Sequence, residues 1–246
     1  MKYVARVLEV LWGVYAIIVF LACSLVALVG VTLLPFAAAR RWLVTVCCRA
    51  VFVLSGTPVH RSGFDKLPEG HCVVVANHAS YVDGFLLKGY LPARFSFVIK
   101  GEMRSIPVIH FLLRRAGSRF VERFATAGSS RDARQIVRAA RDGQSLAFFP
   151  EGTFHAEPGI GRFRPGAFVA AHRGGLPLVP AAIAGTRDML PAGRILPRPR
   201  HLGISILAPI EPGDAGWQDH RLLAENARQR IIEAAGEGDR LRAACR

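Results

Sequence analysis

The stretch Cys72-Val73-Val74-Val75-Ala76-Asn77-His78-Ala79-Ser80-Tyr81-Val82-Asp83 is where the fold of this chain becomes legible. Its first five residues, 72–76, have the length and β-branched content of a buried strand. They run straight into Asn77 and His78, after which Ser80 opens a helical pattern over 81–89. Ser80-Tyr81-Val82-Asp83 matches a capping box, with Ser80 at the N-cap and Asp83 near the third helical position. In an unbroken helix, residues five apart lie about 140° apart around the axis, so a helix alone does not bring His78 to Asp83. With His78 in the turn before the helix, a first-turn carboxylate can point back toward it. Two readings stand on these residues. Asp83 caps the helix and His78 is a loop residue, or Asp83 accepts from His78 Nδ1 and leaves Nε2 as a base.

Outward from this stretch the same alternation continues. Further strands are predicted at 95–99, 145–149, 178–184 and 202–207, and further helices at 106–114, 130–141, 165–173 and 220–234. The fold class is α/β, with a mixed, largely parallel sheet flanked by helices. Pro180 places the strand 178–184 at an edge, or itself at a strand start. Arg131, Arg134, Arg138 and Arg141 fall opposite Ala133, Ile136, Val137 and Ala140, which reads as a solvated basic face. Residues beyond Gly236 read as a frayed tail.

Toward the N-terminus, residues 10–36 carry no charged side chain, more than the ~20 apolar residues that cross a bilayer. Pro35 should break that helix, and a shorter apolar segment follows over 42–54. We therefore expect an N-terminal membrane-embedded helix or helical hairpin over 1–54, then a separate domain over 55–246. Ser55-Gly56-Thr57-Pro58 supplies the turn between them. The apolar run continues well past Cys23, too long for the ~7–15-residue core of a cleaved signal.

Composition agrees with a membrane contact: 51% of the 246 residues are hydrophobic and the formal net charge is +14. The stretch 94–141 is strongly basic, which favours phosphate-bearing substrates or anionic lipid surfaces. Nucleic acid would account for the charge but not for the apolar N-terminus, and is not expected as a partner. The five cysteines, Cys23, Cys47, Cys48, Cys72 and Cys245, show no zinc-site spacing and read as reduced structural thiols. No metal is expected.

Three other stretches bear on chemistry. Phe149-Pro150-Glu151-Gly152-Thr153 ends a predicted strand with a carboxylate, a glycine and a hydroxyl, a set suited to a polyol or a phosphate, or simply to a turn. Gly117-Ser118-Arg119-Phe120-Val121-Glu122-Arg123 offers Arg123 for a bidentate phosphate contact. Leu178-Val179-Pro180 opens a predicted strand. In this order and spacing the stretches resemble the phospholipid acyltransferase family that includes the 1-acylglycerol-3-phosphate acyltransferases. The matching blocks are N-H-x-x-x-x-D (Asn77, His78, Asp83), G-x-x-F-[IV]-x-R (Gly117, Phe120, Val121, Arg123), F-P-E-G-[ST] (149–153) and V-P (Val179, Pro180). Lys100 sits as in the family's K-x-E-[LM] segment, and 162–167 is similar to its K-F-K-x-G-A segment.

The resemblance covers roughly residues 58–209. It implies acyl transfer from an acyl thioester, acyl-CoA or acyl carrier protein, to the free sn-2 hydroxyl of lysophosphatidic acid. His78 would be the base and Asp83 its orienting partner. Asn77, Lys100, Gly117, Arg123, Glu151, Gly152 and Thr153 would bind substrate, with Glu151 and Gly152 on the glycerol and Arg123 and Lys100 on the phosphate. No cofactor beyond the acyl donor is implied. The partners would be membrane phospholipids, the lysophospholipid acceptor and the donor, with the domain on the cytoplasmic face of a membrane, in a bacterium the inner one. One departure stands out. Many members carry Arg-Ser after F-P-E-G-T, whereas this chain has Phe154-His155. A cation is missing there, which leaves open another lysophospholipid or an amino-acid-linked lysolipid as acceptor. A protein that only binds anionic membranes is the reading from a different class.

Overall fold

The computed structural model describes residues 2–121 and 127–243. Seven strands form one sheet among the described residues: β1 (Val59–Ser62), β2 (Val73–Ala76), β3 (Ser96–Lys100), β4 (Arg119–Val121), β5 (Leu146–Phe148), β6 (Leu178–Ala184) and β7 (Leu202–Ile206). Their order is β1-β7-β6-β2-β5-β3-β4, parallel except where β6 meets β7. The mixed, largely parallel sheet expected from the sequence is therefore present. β1 and β4, four and three residues long, were not anticipated; both are edge strands without a fully buried residue.

β2 lies at the centre with all four residues at 0% exposure, which is why it reads as an unbroken apolar run. Val74 and Ala76 face one core, with Leu86, Leu87, Phe95 and Ile183. Val73 and Val75 face the other, with Ile136, Phe168, Leu223 and Ile231. The first core is roofed by α3 (Val82–Tyr90), the second by α5 (Ala127–Arg141), α6 (Gly166–Gly174) and α8 (His220–Ala235).

Pro180 corrects an expectation, because β6 is an interior strand, flanked by β7 and β2. The β6–β7 ladder slips by one residue beside it: Leu178 pairs with Ile210, while the regular register starts at Ala181 opposite Ile206. The Pro180 carbonyl still accepts from Leu207 N–H at 2.9 Å. At a bulge of this kind the missing proline N–H costs no ladder bond.

The N-terminal region forms an antiparallel hairpin of α1 (Lys2–Leu33) and α2 (Ala37–Leu54), separated at Pro35. Val19, Cys23, Ala27 and Val31 pack on Val44 and Cys47, joined by Ala116 beyond α4 (Pro107–Arg115). α2 also crosses α3 so closely that a Cβ at Gly89 would lie 2.8 Å from Arg49 N. The opposite side of α1 leaves Leu8, Leu11, Ile18, Leu21 and Leu25 exposed, and α4 adds Val108 and Phe111. An apolar surface this continuous suits a lipid bilayer rather than water. α1 is the one helix among the described residues long and apolar enough to cross a membrane.

Over residues 237–243 the C-terminal segment is not the frayed tail expected; 244–246 lie outside the described residues. Glu237 pairs with Arg187 at 3.0 Å, Asp239 bridges to Ile160 and pairs with Arg228, and a short helix α9 (Arg240–Ala243) follows. Two ion pairs and a backbone bridge, from three distant segments, hold what composition alone marked as loose.

Candidate active site

β2 ends at Ala76, and the next residue prolongs the sheet through its side chain. Asn77 Nδ2 donates to the Ile183 carbonyl at 2.9 Å, and its Oδ1 accepts from Ile183 N–H at 2.7 Å. The buried carboxamide thus mimics a peptide unit, and both its arms are occupied by β6. Fixing Asn77 fixes where the chain leaves the sheet, and so where His78 starts.

The turn that follows wraps around one carboxylate oxygen. Asp83 Oδ2 accepts from Ala79 N–H at 2.6 Å and Ser80 N–H at 2.8 Å, and meets His78 Nδ1 at 2.8 Å. An oxygen receiving two backbone donors acts as an acceptor toward the third, which assigns the hydrogen to Nδ1 and the lone pair to Nε2. Asp83 is fully buried, whereas the His78 side chain keeps 18% exposure. Asp83 thus closes the turn and contacts the His78 ring through the same oxygen. The capping box is shifted, however. Ser80 Oγ accepts from Val82 N–H and donates to the Leu190 carbonyl at 2.7 Å, and Asp83 is the second helical residue, not the third.

Glu151 reaches the same turn from the end of β5. Its Oε1 accepts from His78 N–H and its Oε2 from Gly161 N–H, both at 2.8 Å. Burial raises its carboxyl above the usual range, against the pull of these two backbone donors. Gly152 follows at φ 78°, in the left-handed region where glycine is favoured. The imidazole is walled by Phe149, stacked at 4.4 Å, and by Phe154, edge-on at 4.8 Å; Tyr81 meets Phe154 at 4.6 Å.

Beyond Tyr81 an apolar groove of about 300 Å³ runs between α1, α2, α3 and residues 189–197. Ile17, Phe20, Val51, Phe85 and Ile195 line it.

The structure thus brings His78, Asp83, Glu151, Gly152 and Thr153 to one edge, beyond the C-terminal ends of β2 and β5. In open α/β sheets that is where ligands bind. Lys100 ends the parallel strand β3 on the same edge and pairs with Glu102 at 3.1 Å. Gly117 is elsewhere. It precedes β4, and a Cβ there would lie 2.6 Å from the Arg41 guanidinium. Arg123 lies outside the described residues. Cys72 is an inert thiol, pushed up to about 11 by burial. No three His, Cys, Asp or Glu side chains converge as metal ligands among the described residues. Sequence reasoning missed Phe149 and Phe154 as walls of the imidazole. The replacement of Arg by Phe154 was the available signal for one of them.

A family model described as acyltransferase matches residues 58–184. The chain belongs to the acyltransferase family. A chloroplastic 1-acyl-sn-glycerol-3-phosphate acyltransferase of Brassica napus is 32% identical over 53% of this chain and 38% of its own length. A lyso-ornithine lipid O-acyltransferase of Pseudomonas aeruginosa is 32% identical over 62% of this chain and 55% of its own. The chain spans less than half the length of the first curated relatives it matches, 38% to 49%. The crystal structure of a 1-acyl-sn-glycerophosphate acyltransferase from Thermotoga maritima aligns with a TM-score of 0.74, covering 95% of this chain and 96% of that one at 23% identity. That likeness speaks to the fold.

Proposed function

We propose that this acyltransferase moves a fatty acyl group from a thioester donor, acyl-CoA or acyl carrier protein, to the free sn-2 hydroxyl of lysophosphatidic acid. The observation that carries this reading is His78, oriented by Asp83 and joined through Phe154 to Tyr81, which lines an apolar groove. Nε2 takes the hydroxyl proton, and the resulting alkoxide attacks the thioester carbonyl. The tetrahedral intermediate collapses, the thiolate leaves, and the imidazolium returns the proton to it. Asp83 stabilises the imidazolium while it lasts. Glu151 contributes by holding the His78 backbone against the 161 loop, with Gly152 and Thr153 lining the acceptor side and Lys100 on the phosphate side.

The groove is the place for the acyl chain. Replacing Ile17 with Trp narrows it, and kcat/KM for the longest accepted chain should fall by about tenfold or more relative to shorter ones. Acyl donors of graded length check this; an unchanged profile would put the chain elsewhere.

The hairpin also bears on membrane topology. α1 is tied to the domain near both ends: Glu9 pairs with Arg194 at 3.2 Å, and Arg115 donates to the Val31 carbonyl at 2.9 Å. A helix so anchored along its length lies in one leaflet rather than across two, with the domain on the cytoplasmic face.

A second acceptor class is favoured by one observation. Phe154, where many relatives have a cation, packs on His78 and Tyr81, as an acceptor with a larger or amino-acid-linked head group would allow. The deciding experiment incubates purified protein in vesicles with labelled acyl-CoA or acyl carrier protein and a panel of lysolipids. Labelled phosphatidic acid supports the first reading. A labelled amino-acid-linked product supports the second, and no label in any lysolipid overturns both.

A further inference from the structure

Phe154 poses a question that the C-terminal segment answers. The loop after Glu151 lacks the cation that many family members carry there, yet a guanidinium reaches the loop from residue 240. Residues 237–240 run as a strap along residues 159–161. Gly238 O accepts from Ile160 N–H at 2.9 Å, and Arg240 N–H reaches Ile160 O at 3.3 Å. The strap is fixed on both sides, by Glu237 on Arg187 and by Asp239 on Arg228. Arg187 in turn donates to the carbonyls of His155 and Glu157, so strap and loop are tied together.

Arg240 is delivered to a defined spot. A Cβ built on Gly161 would lie 2.8 Å from Arg240 Nη2 and 3.2 Å from Glu151 Oε2. The guanidinium therefore lies over a residue that has no side chain to exclude it, beside the carboxylate that holds His78. The Arg240 guanidinium acts on Glu151 through its charge, lowering the carboxyl against the effect of burial. Each Glu151 oxygen already accepts from one backbone N–H, so the carboxylate draws on Arg240 by charge. Arg162 and Arg164 are exposed nearby, with Arg164 N–H on the Pro150 carbonyl at 2.8 Å. A half-buried, pre-positioned guanidinium without a direct hydrogen bond among the described residues, with the exposed Arg162 and Arg164 nearby, is suited to a phosphate.

We propose that Arg240 binds the phosphate monoester of the acceptor and so replaces, from the C-terminal strap, the cation absent at position 154. This rests on the lysophosphatidic acid reading above and deepens it. The strap is then part of the acceptor site, and head-group selection depends on residues about 85 positions beyond the loop they complement.

The test compares the full-length wild type with Arg240→Gln and Arg240→Lys in vesicles, using lysophosphatidic acid and lysophosphatidylcholine, whose phosphate is diesterified. Arg240→Gln should raise KM for lysophosphatidic acid about tenfold, the scale of one lost charge-assisted hydrogen bond, with kcat within about twofold. The KM for the acyl donor and the thermal midpoint should stay put, and Arg240→Lys should recover most of the loss. An unchanged acceptor KM overturns the assignment. So does a rise in donor KM instead, which would place the donor's phosphate there, or an equal loss on both lysolipids with a lowered midpoint, which would make Arg240 structural. A wild type that labels no lysolipid sinks the acyl-transfer reading itself. Activity on lysophosphatidic acid with an indifferent Arg240→Gln sinks only this assignment.

Discussion

Replacing His78 with alanine should lower kcat by about 10²–10⁴-fold, the range a positioned general base contributes. The fold should tolerate the change. The His78 N–H keeps its bond to Glu151 Oε1, and Asp83 Oδ2 keeps the Ala79 and Ser80 N–H groups that close the turn. What disappears is the ring between Phe149 and Phe154 and, with it, the lone pair on Nε2. Thiol release from the acyl donor and label transfer to lysolipid measure the loss, and vesicle flotation with a thermal melt shows whether binding and stability persist. An alanine variant keeping more than half its activity would remove His78 from the chemistry.

Asp83→Asn is the sharper probe, because Asp83 has two jobs that the substitution separates. An amide oxygen can take the place of Oδ2 and still accept all three N–H groups. The amide nitrogen then occupies the position of Oδ1, a buried atom that has no partner in the native site. An unpartnered buried donor costs about 1–3 kcal/mol, so a modest fall in thermal midpoint is expected. The chemical loss should be larger, about 10²–10⁴-fold in kcat, since a neutral amide no longer stabilises the imidazolium. The flipped amide fares no better, because it would present N–H to Nδ1 and force the ring into the wrong tautomer. Asp83→Ala is expected to behave differently again, leaving two buried N–H groups bare and weakening the turn itself. Wild-type kcat in the Asn variant would reduce Asp83 to a capping residue.

The parts of this architecture that were readable from sequence are those where burial writes a pattern. Val73 to Ala76 are buried on both faces and appear as a run of apolar residues, and the 178–184 strand was legible to the residue. β1 and β4 were not, because edge strands bury little and their residues match no period. Pro180 misled because a proline in an interior strand is tolerated only where the ladder slips, and a slip depends on the partner strand's spacing. His78 and Asp83 were visible as a pair, but their contact depends on a turn closed by two backbone N–H groups, which spacing alone left open. The strap was illegible for a related reason. Its anchors, Arg187, Arg228 and the 159–161 loop, come from elsewhere in the chain, and nothing local to residues 237–240 announces them.

The anchoring of α1 along the domain has a kinetic consequence. A protein whose apolar face stays in one leaflet meets its lipid acceptor by lateral diffusion, and the concentration it senses is a mole fraction in the surface. Diluting the lysolipid with inert phospholipid, at constant bulk amounts of lysolipid and protein, should therefore slow turnover in proportion. A rate that followed only the bulk concentration would mean that the acceptor arrives from water. The hairpin, on this view, converts a search in three dimensions into one in two, and the lipid composition around it becomes a control on rate.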